Sequence, residues 1–461
     1  GFFPSFSAGY DIARTPYFQQ LALPVSQLKV RVSYGRLGNQ NGAGLYDYIA
    51  QMPLDAQGTN AWLLPGISSS TASKGTIAKT PKMISPYITW EKVDNANLGI
   101  DLMLLNDRLS VTADFYQRTT RDMIGPAEAI PDIGGIAVDQ RAKVNNATLR
   151  NRGWELSVNW SDQLKNGFSY GIGFNIFDYK AVVTKYNNPE GLIYNNHTGL
   201  VRNKGYYQGM DLGEIWGYEA NDLFLTNQEV DEYLRGVDMS FFKPNKDWQR
   251  GDLKYIDSNG DGKIDPGANK FDDHGDLKKI GNSTPRFQFG LDLSADWKGF
   301  DFRAFFQGVM KRDYWPTTRN SYFWGATCEN VWYAVGFKQH LDYYRAEPYY
   351  GLDTNIDSYY PRPLQGNSKN VQKQTRYLQD ASYIRLKNLQ IGYTLPSNLT
   401  SRFGIAKLRV FFSGENLWTG TKLPDMLDPE TIFGGVSTGA GLNGQAYPIS
   451  KSLSVGVNVT L

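Results

Sequence analysis

From Arg286 to Ala295 the chain alternates, with Phe287, Phe289, Leu291 and Leu293 at one parity and Gln288, Gly290, Asp292 and Ser294 at the other. Successive side chains of a strand point to opposite faces, so the segment predicts a strand with one apolar and one polar face. The same alternation recurs in Leu28–Tyr34, Trp154–Trp160, Phe168–Ile176 and Leu453–Leu461. Extended over the chain, it predicts strands at Phe2–Ile12, Gln27–Leu37, Asn97–Leu105, Arg108–Arg121, Ala147–Trp160 and Gly167–Ala181. Five more follow at Arg286–Asp296, Phe300–Arg312, Asp380–Leu395, Ile405–Leu417 and Ile449–Leu461.

A soluble sandwich would also alternate, so the connections decide between architectures. Short links (Ala13–Ser26, Asn106–Asp107, Ser161–Asn166, Trp297–Gly299, Pro396–Gly404) alternate with long ones (Gly38–Ala96, Asp122–Asn146, Val182–Pro285, Asp313–Gln379, Trp418–Pro448). Outer-membrane barrels sort their connections this way, with short turns on the periplasmic side and long loops outside. The expected fold is therefore all-β, a transmembrane antiparallel β-barrel with long extracellular loops. Residues 1–461 are expected to be one barrel region, with 182–285 as a long outer loop region.

Composition adds to this. The mean hydropathy of −0.45 and the lack of any run of about 18 apolar residues exclude helical membrane spans but not strands, whose every second residue faces the lumen. The 29 Tyr, 24 Phe and 11 Trp suit the two membrane interfaces. A net charge of +2 gives no case for nucleic acid. Cys328 is the single cysteine, which excludes an internal disulfide and a thiolate cluster. The chain starts in mid-pattern at Phe2-Phe3-Pro4, and eleven strands is an odd number where complete bacterial barrels have an even one. The expectation is the back half of a larger barrel whose remainder is supplied elsewhere.

The Val182–Pro285 stretch holds a candidate metal loop. Asp257, Asn259, Asp261 and Asp265 occupy positions one, three, five and nine of an EF-hand-type loop, with Gly262 at the turn and Lys263 offering its carbonyl. The twelfth position is Ala268, so the closing carboxylate is expected from Asp272, Asp273 or Asp276, within a loop running 257–276. Calcium, or magnesium, is the expected ion in a structural clip; no organic cofactor is expected. A polar turn with no ion is the plainer alternative. Gly435-Val436-Ser437-Thr438-Gly439 and Gly439–Gly444 match nucleophile-elbow and dinucleotide patterns, but neither follows a strand or opens a helix. His197, His274 and His340 fall in separate loops and are expected at the surface, so no catalytic residue is assigned and no enzyme is expected. The aromatic clusters Tyr343-Tyr344, Tyr349-Tyr350, Tyr359-Tyr360 and Trp315 to Trp332 could stack sugars, grip peptides or pack the loops.

Along its whole length the chain resembles the SusC/RagA class of TonB-dependent outer-membrane transporters of Bacteroidetes. The resemblance rests on Phe3-Pro4-Ser5 to Gly9-Tyr10, Leu28 to Gly35 with Gly38-Asn39, Trp90-Glu91 before Asn97 to Asp101, and Asp114-Phe115-Tyr116 with Thr119 and Asp122. It continues through Asn151 to Glu155, Gly251-Asp252-Leu253-Lys254-Tyr255-Ile256-Asp257, and Ile280-Gly281-Asn282 with Pro285. Asp380 to Asn388, Gly392-Tyr393 with Pro396, Gly414-Glu415-Asn416-Leu417, and Tyr447-Pro448 complete it. The resemblance implies a 22-stranded barrel, of which this chain would supply roughly the second half, closed by an N-terminal plug. It implies coupling to TonB through that plug, a SusD-like surface lipoprotein as a lid, and oligosaccharide or, less often, peptide cargo. Two departures stand out: Pro266–Gly275 is an insertion in the metal-type loop, and Leu461 ends the chain where an aromatic is common.

The leading reading is thus energised import across the outer membrane of a Gram-negative bacterium, with the protein in contact with outer-membrane lipids. A passive porin or structural barrel would need neither plug nor lid. A secreted calcium-loop module would carry further acidic loops or flanking helices. Lys29, Arg31, Glu155, Gln288, Asp292, Arg303 and Gln307 are expected on the lumen side, there to bind the plug or line the path.

Overall fold

The computed structural model describes residues 2–461 except 43, 45–47, 53, 56–62, 65–72, 75–76, 79–80, 82, 127–141, 189–190, 192–205, 243–246, 319, 329–335, 365–368 and 433–445. Its frame is one antiparallel sheet of eleven strands whose spatial order is their chain order. They are β1 (Ser5–Asp11), β2 (Val25–Asn39), β3 (Glu91–Leu104), β4 (Leu109–Pro126), β5 (Lys143–Gln163) and β6 (Ser169–Lys185). The series continues with β7 (Arg286–Trp297), β8 (Phe300–Lys311), β9 (Tyr383–Thr394), β10 (Lys407–Thr421) and β11 (Ser452–Thr460). Each expected strand is present. None of the described helices is long and apolar enough to cross a membrane.

Local chemistry sets the two ends of the sheet. At the short-link end, Lys298 (φ +46°) and Gly299 (φ +88°) make a two-residue turn that matches strand twist, and Leu105, Asn106 and Asp107 are successive positive-φ residues between β3 and β4. The first link instead winds a short helix, Pro16–Gln20, capped by the Thr15 side chain, which accepts the Phe18 N–H. At the other end β4 and β5 reach 18 and 21 residues, more than the ~9–11 that a tilted crossing needs. Their extra length stands clear of the hydrocarbon and leads into the long loops. Asp380–Leu395 is not one continuous strand. The Asp380 carboxylate accepts the Ser382 N–H, an Asx turn that detaches Gln379–Asp380 from β9 and leaves it to pair with Asp313–Tyr314.

Register fixes the faces. Arg31 pairs with Gly99, Gly99 with Asp114, Asp114 with Glu155, Glu155 with Phe177 and Phe177 with Gln288, so one mostly polar line crosses the sheet. One residue along, Val30, Ile100, Ala113, Leu156, Ile176 and Phe289 form the corresponding apolar line. The apolar face carries an aromatic rim near the short turns, where Trp160 donates to the Tyr170 hydroxyl at 3.1 Å and Phe300 packs on Tyr393 with centroids 4.5 Å apart.

The long loops build a second body with a core of its own. Tyr218, Phe224, Leu253, Tyr255, Ile264 and Leu277 from the β6–β7 loop pack with Phe323, Trp324, Val371 and Tyr377 from the β8–β9 loop, and with Leu427 and Ile432 from the β10–β11 loop.

Candidate functional site

The inner wall is built from charged residues that satisfy one another. The Arg31 guanidinium donates to Asp101 at 2.7 and 2.9 Å and to Asp114 at 3.1 and 3.2 Å. Asp114 lies two strands away, on β4; the residue between them, on β3, is Gly99, where a Cβ would come within 2.6 Å of both charged groups. The arrangement repeats on the far side of the sheet. There Arg409 on β10 pairs with Asp301 on β8 across Gly392 on β9, where a Cβ would lie 2.5 Å from each. Arg303 pairs with Asp292 on the same face, whereas Arg36 and Arg121, which share Asp94, and Asp178, which pairs with Arg286, stand by register at the parity of the apolar line, at the long-loop end of their strands. Lys29, Arg31, Glu155, Gln288, Asp292, Arg303 and Gln307 all lie on this one face by register, as the alternation requires. Thr112, Asp114, Glu155, Ser157, Asn175 and Phe177 line a cavity of about 310 Å³ on the wall.

Two charge clusters join the loop body together and to the wall. Asp252 is fully buried and accepts from Arg362 at 2.7 and 2.9 Å, from Lys369 at 2.7 Å and from Asn370 at 2.9 Å. Burial pushes the Lys369 ammonium pKa down, and Asp252 opposes that shift; Trp248 lies 4.7 Å beneath the ammonium. On the wall, Arg385 of β9 binds Asp428 at 2.7 Å and Glu430 at 3.1 Å, and Lys387 binds Glu430 at 2.9 Å. The β10–β11 loop is thereby strapped onto the inner face. Sequence reading quoted Asp252 and Arg385 within motifs but gave them no role; their partners lie 43 to 118 residues away.

The 257–276 loop is closed by hydrogen bonds. Asp257 accepts the N–H groups of Gly260 and Gly262, Asn259 that of Asp261, Asp261 that of Lys263, and Asp265 that of Gly267. Of the three candidate closing carboxylates, Asp276 is the one that reaches back, accepting from Ser258 at 2.7 Å and Asp265 at 2.9 Å while only 1 % exposed. Burial raises its carboxyl pKa, with a smaller push from Asp257, against the backbone bonds that lower it. Among the described residues no group of three or more His, Cys, Asp or Glu side chains is arranged to hold a metal ion. As placed, the side chains make a hydrogen-bonded clip and do not fit an ion cage.

The remaining candidates separate. Trp315, Tyr344 and Tyr360 are core residues, whereas Tyr349 and Tyr350 are exposed. His340 and His274 depart from the surface expectation. His340 is half-buried, accepting the Phe337 N–H and facing the Tyr322 and Phe323 carbonyls, and His274 packs 5.4 Å from Trp216. His197, Trp332 and Gly435–Gly444 lie outside the described residues.

Residues 1–213 match the family described as TonB dependent receptor-like, beta-barrel. That stretch, which holds β1 to β6, is a TonB-dependent receptor-like β-barrel region. Over 99 % of its length the chain is 25 % identical to TonB-dependent receptor P3 of Formosa agariphila, and over its full length 24 % identical to TonB-dependent receptor SusC of Bacteroides thetaiotaomicron. It spans 42 % and 40 % of those relatives. The solved RagAB peptide importer in its closed-closed state superposes with a TM-score of 0.67 at 22 % identity, over 99 % of this chain and 43 % of that one, a likeness of fold. The receptor barrel is thus similar to SusC in sequence and to the RagAB importer in fold, and it belongs in the outer membrane, with its apolar face to lipid.

Proposed function

We propose that the complete protein imports a nutrient across the outer membrane, with cargo entering past the loop body and travelling along the charged inner wall. The receptor-like barrel match carries this reading, and the two-faced wall supports it. In this proposal a plug, outside this chain, packs against the wall and is pulled through TonB, and a SusD-like lipoprotein covers the outer mouth. Oligosaccharide is the first candidate cargo, as the SusC/RagA resemblance implies; peptide is the second, favoured by the likeness of fold to a peptide importer. The paired state of Arg31, Arg303 and Arg409 favours cargo that does not need a free cationic wall. Calcium or magnesium at Asp257, Asn259, Asp261, Lys263, Asp265 and Asp276 is proposed by the residue spacing alone, and the side-chain placement counts against it.

The test is uptake of labelled oligosaccharides and peptides by cells with and without TonB. Energised import predicts loss of uptake when TonB is absent. Uptake that persists without TonB would support a passive porin instead.

A further inference from the structure

On the apolar parity of β5, Trp154, Leu156, Val158 and Trp160 are bracketed by charge, with Arg152 on the long-loop side and Asp162 on the short-turn side. The stretch between them, residues 153–161, has the length that a tilted strand needs to cross the hydrocarbon, about 9–11 residues. Asp162 pairs with Arg108 at 3.3 Å at the inner boundary. Arg152 and, two residues on, Arg150 therefore stand on the lipid-facing side at the depth of the outer-leaflet headgroups.

Register shows what surrounds them. Arg152 lies between Gln117 on β4 and Lys180 on β6, and Arg150 between Thr119 and Val182. Arg152 and Lys180 are cations directly opposite each other across a strand pair, which is unfavourable without a counter-ion. Lys180 has one in Asp211 at 2.9 Å. Arg152 is exposed and donates its Nε to the neutral Gln117 Oε1 at 2.6 Å. Among the described residues, neither it nor the half-buried Arg150 meets a carboxylate. Other cations toward the long-loop end do: Arg36 and Arg121 bind Asp94, Lys92 binds Asp122 and Arg286 binds Asp178. Among these residues the unbalanced charge is confined to β5.

We propose that Arg150 and Arg152, with Lys180 beside them, bind the headgroup of a phosphate-bearing lipid of the outer leaflet. Guanidinium groups grip phosphate oxygens in pairs, and a phosphate between Arg152 and Lys180 removes their repulsion. A headgroup at this depth lays its acyl chains along Trp154 and Leu156, a contact that a free phosphate lacks. Cargo is not the occupant, because the lumen lies on the other face of the sheet. The inference rests on the outer-membrane placement and not on the import reading.

The test titrates the full-length protein, purified from its own outer membrane in detergent, with phosphorylated lipid A and with the same lipid after dephosphorylation, read by native mass spectrometry. The wild type is expected to bind the phosphorylated lipid roughly tenfold or more tighter, and Arg150→Gln with Arg152→Gln to lose that preference. Heat-modifiability in gels checks that the double variant is folded; Arg152→Gln alone, at an exposed side chain, is expected to weaken the preference about fivefold. Arg118→Gln, at an exposed cation on the lumen parity of β4, should keep it in full. No preference in the wild type, a preference that survives either variant, or an equal loss in Arg118→Gln would overturn the proposal. Displacement of the lipid by equimolar inorganic phosphate would also overturn it, because the site would then hold the anion without the lipid.

Discussion

At the scale of single residues, the receptor barrel uses the absence of a side chain as deliberately as its presence. Gly99 and Gly392 each let an arginine on one neighbouring strand reach an aspartate on the other. Gly392→Val is expected to destabilise the barrel by about 1–3 kcal/mol, the range for forced overpacking, seen as a lower temperature of heat-modifiability in gels. An unchanged transition would mean that the ion pair can move aside at no cost. His340 gives a pH prediction in the loop body. Its Nδ1 accepts the Phe337 N–H, so Nε2 carries the proton and faces the Tyr322 and Phe323 carbonyls. Burial, partly opposed by those carbonyls, lowers its pKa below the usual ~6.5. A folded value lowered in this way gives stability that is present above about pH 6.5 and lost as pH falls toward the folded value. The loop body should therefore become more protease-sensitive between pH 7.5 and 5.5 in the wild type, and His340→Gln should lose that pH dependence.

At the scale of elements, the strands were legible because lipid on one side and polar groups on the other force alternation residue by residue. The Asp380 break was not, since Asp380-Ala381-Ser382 continues the alternating pattern while an Asx turn ends the ladder. The 257–276 loop was half legible. Spacing marked the acidic positions, but which carboxylate closes the loop depended on the fold, and Asp276 is chosen by proximity to Ser258 and Asp265. Its buried oxygens bond backbone N–H groups, so Asp276→Asn, which loses an acceptor, is expected to expose the 182–285 region to protease. Chelation by EDTA should leave cleavage of the purified protein unchanged. Faster cleavage with EDTA would restore the ion to this loop.

At the scale of the whole molecule, the long loops are one folded body, which sequence could not reveal because its contacts join segments more than a hundred residues apart. Asp252 is the point where two of those segments meet. Asp252→Ala leaves Lys369 and Arg362 without their shared partner, and removing one side of a buried ion pair costs about 3–5 kcal/mol. The expected outcome is rapid hydrogen exchange through 210–281 and 314–381 with the barrel strands still protected. Exchange in both regions together would mean that body and barrel unfold as one.

The glycine-spanned ion pairs also bear on how the wall assembles. If β3 slid by two residues against its neighbours, Asn97 or Asp101 would stand where Gly99 does, and either side chain would block Arg31 from Asp114. A slip of two keeps every apolar residue facing lipid, so alternation alone could not detect it. The salt bridge forms only when the glycine is opposite, which makes it a test of alignment as well as a bond. A strand of nearly uniform pattern thereby acquires one position at which its correct placement can be recognised.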